Sequence, residues 1–67
     1  MSLQTIIFDK RYYTKQMALS WIRQHGYKSS KIDIKAHTYH FRQQQPRPGG
    51  RYYSKYITHG ILFVFEK

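Results

Sequence analysis

The sequence predicts an α+β fold in which one helix packs on a small, mostly antiparallel sheet, in the order β-α-β-β-β-β. One segment carries apolar residues at helical spacing, whereas five short segments are rich in β-branched and aromatic residues or alternate polar with apolar residues. The chain has 67 residues and no repeat or linker, so residues 1–67 are expected to form a single domain.

The first strand and the helix are predicted from the first half of the chain. Residues 4–9 are β-branched and aromatic and too few for a helix. Thr14 is a candidate N-cap, and a helix is predicted from Lys15 to His25. Gly26 stands where a left-handed C-cap is needed, and Tyr27 is expected to fold back onto the last turn. The predicted apolar face consists of Met17, Ala18, Trp21 and Ile22.

Four further strands are predicted in the second half, over residues 31–35, 37–43, 52–58 and 61–65. Ala36 and His37 form either a tight connection or a bulge, and His59-Gly60 marks a turn. The last strand is apolar at every position. This pattern suits a strand covered on both faces or one at a dimer contact, and an unpaired edge there would allow pairing with a second copy.

The segment from Gln43 to Gly50 is predicted to be a loop. It contains two prolines and two glycines, which do not fit the interior of a paired strand.

The charge balance predicts a polyanionic partner. Twelve Lys and Arg residues face three acids, Asp9, Asp33 and Glu66, so the formal net charge is +9. Solubility alone needs a net charge of only about 2–8 in a small domain. Aromatic residues make up 18% of the chain, which argues against a disordered basic tail. Nucleic acid is therefore the expected partner.

Basic and aromatic residues are interleaved in the sheet half of the chain. Lys and Arg bind phosphates, and aromatic rings stack on unpaired bases. The binding residues predicted here are Lys31, Lys35, His40, Arg42, Gln43, Arg47, Arg51, Tyr53 and Lys55. The alternative interpretation is that the tyrosines belong to the core and the charges are simply solvated.

Catalysis, metal binding and cofactor binding are not expected. Three acids make a catalytic carboxylate pair hard to assemble, and there is no cysteine nucleophile. His37 and His40 are three residues apart, so on a strand they point to opposite faces and do not share a metal.

No run of 18 apolar residues is present, so no contact with a membrane is expected. The first residues lack the pattern of a secretory signal, and the expected location is intracellular or inside a virion rather than secreted.

Several short motifs follow one another along the chain. The stretch from Ala18 to Lys28 reads A-x-x-W-I-x-x-H-G-Y-K, and it is followed by K-x-D at residues 31–33 and by Y-x-F-R-Q at residues 39–43. Together with a loop that contains Pro46, these motifs resemble a short domain of tailed-phage and large DNA-virus proteins. The family pattern usually has arginine at the position of His40, so this chain departs from it there.

The resemblance implies a viral setting, in the host cytoplasm or nucleus or in the virion. In phages the domain occurs beside head-assembly functions, and the resemblance implies no particular activity. It directs attention to Lys28, Lys31, Asp33, Arg42 and Gln43, and it adds Lys28 to the predicted nucleic-acid-binding residues. Asp33 is expected to pair with Arg42 across neighbouring strands, either to hold the sheet together or to orient the arginine for binding.

Two functions remain open. The first is non-specific binding of nucleic acid, or another polyanion, through a sheet face and the loop at residues 43–51. The alternative is a virion structural or interaction protein, or a small inhibitor, that docks on an acidic protein surface. In that case a homodimer through the strand at residues 61–65 is a further expectation.

Overall fold

The computed structural model describes residues 2–45 and 47–67, and it confirms the α+β fold. Every predicted element is present, with ends within two residues of the prediction. The elements are β1 (Ser2–Asp9), α1 (Lys15–Gln24), β2 (Ile32–Ile34), β3 (Thr38–Arg42), β4 (Tyr52–Thr58) and β5 (Ile61–Glu66). Pro46, the proline of the family pattern, lies outside the described residues.

The five strands form one sheet in the order β2-β3-β1-β5-β4, and all neighbouring strands are antiparallel. β1 therefore lies at the centre of the sheet. β1 and β2 run in the same direction because both are antiparallel to β3. A connection between strands of the same direction must cross over the sheet, and α1 lies in this crossover.

The helix and the sheet share one aromatic-rich core. Phe8 at the centre of the sheet lies edge-on to Tyr13, Trp21 and Phe41, with ring centroids 5.2, 5.7 and 5.4 Å away. Other fully or nearly fully buried members of the core are Ile6, Ala18, Ile22, Ile61 and Phe63. We call the side of the sheet that packs on α1 the covered face, and the opposite side the uncovered face.

The helix docks through a narrower stripe than its sequence predicts. Ala18 and Ile22 are completely buried, and Trp21 is partly buried against the core. Met17, in contrast, is 50% exposed, so its predicted place on the buried face is wrong. The small side chain of Ala18 lets the helix approach the sheet closely, which leaves Met17 at the side of the contact.

Both helix ends have the predicted caps. The Thr14 hydroxyl accepts a hydrogen bond from the Met17 amide at 3.1 Å. At the other end Gly26 has a φ of 75°, and its amide donates to the Arg23 carbonyl at 3.2 Å. The Tyr27 amide donates to the Ile22 carbonyl at 3.0 Å, which completes a Schellman motif.

The position of β5 corrects one expectation. β5 lies between β1 and β4 and is paired on both sides, so it is not an edge strand that can pair with a second copy. The edges of the sheet are β2 and β4. Ala36 and His37 form the tight connection rather than a bulge, because the Lys35 amide donates to the Thr38 carbonyl at 2.9 Å.

A bulge near Ile57 decides which residues of β4 share a face. Thr58 is opposite Ile61, but the register then shifts by one, so that Tyr56 is opposite Leu62 and Tyr53 is opposite Phe65. Without this shift Ser54 would have been opposite Phe65. Since side chains alternate along a strand, the shift places Tyr53 on the covered face and Tyr56 on the uncovered face.

The described parts of the loop, residues 43–45 and 47–51, lie along one end of the sheet. The loop begins after β3 and ends before β4, so it passes the ends of β1 and β5 on its way. The Gln43 amide donates to the Gln4 carbonyl of β1 at 2.7 Å, and Arg47 contacts Glu66 of β5. This path buries Glu66 to 3% exposure.

Candidate nucleic-acid interface

A small pocket with three basic side chains opens at the end of the β2–β3 hairpin. Its volume is about 230 Å³, which is below the roughly 300–1,000 Å³ of pockets for drug-sized ligands. The lining residues are Lys28, Ser30, Lys31, Arg42, Gln43, Gln44 and Gln45. No carboxylate lines this basic pocket, and its size and charge suit a small anion such as a phosphate group.

Gln43 holds the pocket together with its side-chain amide. The amide oxygen accepts from the Lys28 backbone amide at 2.9 Å, and the amide nitrogen donates to the Lys28 carbonyl at 3.0 Å. The same nitrogen also lies 3.2 Å from the Phe41 carbonyl. Gln43 was predicted as a binding residue, but its polar atoms are used inside the protein. We therefore assign it the role of positioning Lys28.

Gln44 has a similar internal role. Its side-chain nitrogen donates to the Ser2 hydroxyl at 2.6 Å, and its carbonyl accepts from the Gln4 side chain at 3.1 Å. The beginning of the loop is thus fastened to β1. Of the three consecutive glutamines, only Gln45 is exposed.

The predicted contact between Asp33 and Arg42 is present on the uncovered face. The Arg42 Nη2 atom is 3.4 Å from the Asp33 Oδ2 atom, and the two side chains are about half exposed. Exposed ion pairs stabilise a fold by about 0–1 kcal/mol. A phosphate can therefore displace Asp33 from Arg42 without a large loss of stability.

Further cations continue from the basic pocket along the same end of the sheet. Arg42 and Lys31 lie at the ends of β3 and β2, and the Lys67 amide donates to the Arg51 carbonyl at 2.8 Å beside β4. Arg47 lies on the loop between them, 3.3 Å from Glu66. We call this row the basic rim, and it consists of Lys28, Lys31, Arg42, Arg47 and Arg51.

Few acids oppose the basic rim. Glu66 is covered by the loop, and within the described residues its Oε1 atom has no hydrogen-bond partner. Asp33 is held by Arg42, and Asp9 lies at the other end of β1, where Arg11 contacts it at 2.8 Å. Each acidic side chain is thus paired with an arginine, and no lysine forms an ion pair in the part of the chain that the structure describes.

The ten predicted binding residues do not lie on one sheet face. Those near β2 and β3 are Lys28, Lys31, Lys35, His40, Arg42 and Gln43, and those near β4 are Arg47, Arg51, Tyr53 and Lys55. β2 and β4 are opposite edges of the sheet, four strand spacings or roughly 19 Å apart. The loop connects the two groups along the basic rim.

Tyr53 and Lys55 differ from the other predicted residues in their orientation. Their cross-strand partners are Phe65 and Phe63, so both point to the side of the sheet that carries the helix. The Tyr53 ring stacks on Phe65 with centroids 5.2 Å apart, and the Lys67 Nζ atom lies 5.4 Å from its centroid. Tyr53 thus extends the core toward the edge, while Lys55 is exposed.

His40 lies on the uncovered face and is partly buried. Its Nε2 atom is 2.9 Å from the Thr38 hydroxyl. Burial lowers the pKa of His40 from its ordinary value of 6.5, the charge of Lys35 lowers it further, and Asp33 opposes both effects. His40 is thus held mainly neutral near pH 7.

A second pocket, lined partly by aromatic rings, opens at the opposite end of the sheet. It has a volume of about 370 Å³. Its lining residues are Asp9, Arg11, Tyr12, Tyr56, Thr58, His59 and Gly60, and we call it the tyrosine pocket. The rings of Tyr12 and His59 meet edge-on with centroids 4.2 Å apart.

Sequence reasoning missed the residues of the tyrosine pocket. Side chains alternate between the two faces along β4, so Tyr53 and Tyr56 are expected on opposite faces. Because β5 is apolar at every position, its sequence does not show which face is covered, and therefore not which tyrosine faces the core. The bulge near Ile57 settles the question in the fold, and no turn or glycine signal marks that bulge in the sequence.

Two further observations concern metal ions and membranes. Within residues 2–45 and 47–67 no group of three or more His, Asp and Glu side chains is arranged to hold a metal ion. The one helix of the described chain is too short and too polar to cross a membrane.

No protein-family model, curated protein or solved structure matches this chain.

Proposed function

We propose that this protein binds nucleic acid through its phosphates, at the basic pocket and along the basic rim. The observation that carries the proposal is the pocket itself, where Lys28, Lys31 and Arg42 converge and no carboxylate lines the walls. Lysine and arginine side chains supply the charge-assisted hydrogen bonds that phosphate oxygens accept.

The length of the basic rim also fits a chain of phosphates. Its two ends are separated by four strand spacings, roughly 19 Å, which is long enough for several consecutive phosphates of one strand. One phosphate for each cation of the rim gives about five contacts. Its contacts go to the backbone rather than to base edges, so we expect little sequence preference.

The proposed setting is viral, inside an infected cell or in a virion. Lys28, Lys31, Arg42 and Gln43 belong both to the resemblance and to the lining of the basic pocket. The motifs shared with the phage and large DNA-virus domain therefore include residues that build the proposed binding site.

Fluorescence anisotropy over a salt series tests the proposal. Labelled DNA and RNA oligonucleotides should bind at about 50 mM salt, and the log–log plot of affinity against salt should have a slope of about −3.5 to −4.5 for about five phosphate contacts. Poly-glutamate serves as a polyanion without phosphate. Equal binding of poly-glutamate would instead favour docking on an acidic protein surface.

Two charge-matched variants locate the site. Lys31→Ala removes a cation of the basic pocket, and it should weaken binding and make the salt slope shallower by about one unit. Lys15→Ala removes an exposed cation at the start of α1 and should leave both quantities nearly unchanged. Equal losses in the two variants would contradict a localised site.

A further inference from the structure

The uncovered face carries aromatic and aliphatic side chains for which phosphate binding gives no reason. Tyr56 is 72% exposed and Tyr52 is 41% exposed, on the same face of β4. Beside them, at the centre of the sheet, lie the half-buried side chains of Ile7, Leu62 and Val64. An exposed apolar surface of this kind on a small domain indicates contact with another molecule.

The charges around this face select its partner. The basic rim borders it at one end, and Arg11 and Lys35 lie at the other end. A second copy of the chain would also carry a net charge of +9 and would be repelled. A partner with anionic edges and flat apolar groups between them matches the face better. Single-stranded nucleic acid has this chemistry, whereas a duplex keeps the faces of its bases stacked inside.

We propose that the uncovered face binds the unpaired bases of single-stranded nucleic acid, with one base in the tyrosine pocket and phosphates on the basic rim. This inference rests on the proposed function and adds the class of nucleic acid. The two pockets lie at opposite ends of the sheet, the basic one beside β2 and β3 and the tyrosine pocket beside β4. A strand that occupies both crosses the uncovered face diagonally.

The tyrosine pocket has the size and rigidity that a base needs. Its volume of about 370 Å³ is within the range of small-ligand pockets. The Tyr12 ring contacts His59 on one side, and the Tyr12 side chain packs closely on the backbone of Gly60. A Cβ atom on Gly60 would lie only 3.0 Å from the Tyr12 side chain. Tyr56 of β4 adds an exposed ring to the wall of the same pocket.

The polar groups of the pocket are already neutralised or available for hydrogen bonds. Arg11 donates to both Asp9 carboxylate oxygens, from Nε at 3.2 and 3.1 Å and from Nη2 at 2.8 Å. Hydrogen bonds from Arg11 lower the pKa of Asp9, and the side chain of Arg11 has a larger effect than its backbone amide. The paired carboxylate repels a nucleotide less than a free one does, and Thr58 adds a hydroxyl at the pocket wall.

Three ligands of equal length separate base binding from phosphate binding. They are a labelled strand of twelve thymidines, an abasic strand with the same phosphates, and a twelve-base-pair duplex, each measured by anisotropy at about 50 mM salt. One stacked base increases affinity by at least about fivefold. The thymidine strand should therefore bind at least about fivefold more tightly than the abasic strand, and it should bind more tightly than the duplex, whose bases are not available for stacking.

A pair of variants assigns this preference to the tyrosine pocket. Tyr56→Ala removes the ring and should bring the thymidine strand down to the affinity of the abasic strand. Tyr56→Phe keeps the ring and should retain the preference, because stacking does not need the hydroxyl. The comparison of ligands uses the unaltered protein, so it does not depend on the folding of any variant.

The outcomes distinguish this inference from the proposed function. Equal affinity for the thymidine and abasic strands would overturn base binding and leave phosphate binding intact. Failure of all three ligands to bind would overturn both. A dimer in light scattering that dissociates in Tyr56→Ala would assign the uncovered face to a second copy and overturn the inference.

Discussion

The two faces of the sheet are built from the same strands but have different chemistry. The covered face buries Ile6, Phe8 and Phe41 completely under α1. The uncovered face places Tyr56 and Arg42 at the surface, and its aliphatic centre is only half-buried. In a chain of 67 residues one face supplies the core, so the other is available for binding. Stability and binding should therefore respond to different substitutions.

The largest effect is expected from truncating a core aromatic residue. Phe8→Ala removes the ring that contacts Tyr13, Trp21 and Phe41, and it should lower the free energy of unfolding by about 3–5 kcal/mol. That is a large part of the total stability of so small a domain. Urea denaturation followed by circular dichroism measures it. Tyr56→Ala is the control on the uncovered face and should change the stability by no more than about 0.5 kcal/mol.

The second largest effect is expected at Gly60, whose backbone lines the tyrosine pocket. Gly60 has a φ of 83°, and a Cβ atom there would lie 3.0 Å from Tyr12 and Tyr13. Gly60→Ala should lower the free energy of unfolding by about 1–3 kcal/mol or more, and it should distort the tyrosine pocket. Gly49→Ala is the matched control, because Gly49 has a φ of 72° but nothing within 4 Å of the added carbon. If thermal melting shows equal losses in the two variants, packing of Tyr12 on Gly60 is not important.

A smaller effect is expected at the basic pocket. Gln43→Ala removes the two hydrogen bonds to the Lys28 backbone, each worth about 0.5–1.5 kcal/mol, and should reduce both stability and the affinity for nucleic acid. Gln45→Ala alters an exposed side chain of the same pocket and should leave stability unchanged. Loss of affinity without loss of stability in Gln43→Ala would mean that Gln43 contacts the ligand directly.

The smallest effect is the pH dependence contributed by His40. Partial burial lowers its pKa below 6.5, with a further contribution from Lys35, so the unfolded chain takes up a proton more readily than the folded one. The contribution of His40 to stability is therefore complete above about pH 6.5 and decreases as the pH falls through the lowered pKa. Thermal melting between pH 7.5 and 5.5 should show a smaller decrease for His40→Gln than for the unaltered chain. An identical decrease in both proteins would contradict this assignment.

The sequence predicted the elements well because their signals are local. The cap at Thr14, the left-handed Gly26 and the alternation in β3 each depend on a few neighbouring residues. The strand order depends on long-range pairing, and the interior place of β5 could not be read from its apolar composition.

The candidate site was only partly predictable for the same reason. Lys31 and Arg42 were selected on charge and Lys28 through the resemblance, and the fold brings the three into one pocket. The internal role of Gln43 depends on the approach of a loop fifteen residues away in the chain. The orientation of Tyr53 depends on a bulge that leaves no mark in the sequence.

We propose that the uncovered face and the basic rim bind nucleic acid while the covered face holds the fold together. Titration of the ¹⁵N-labelled protein with a strand of twelve thymidines, followed by amide chemical shifts, tests this most directly. We predict the largest shifts at Lys31, Arg42 and Tyr56 and little change at Ala18 and Ile22 of the helix. Shifts concentrated on α1, or spread evenly over the whole chain, would contradict the account.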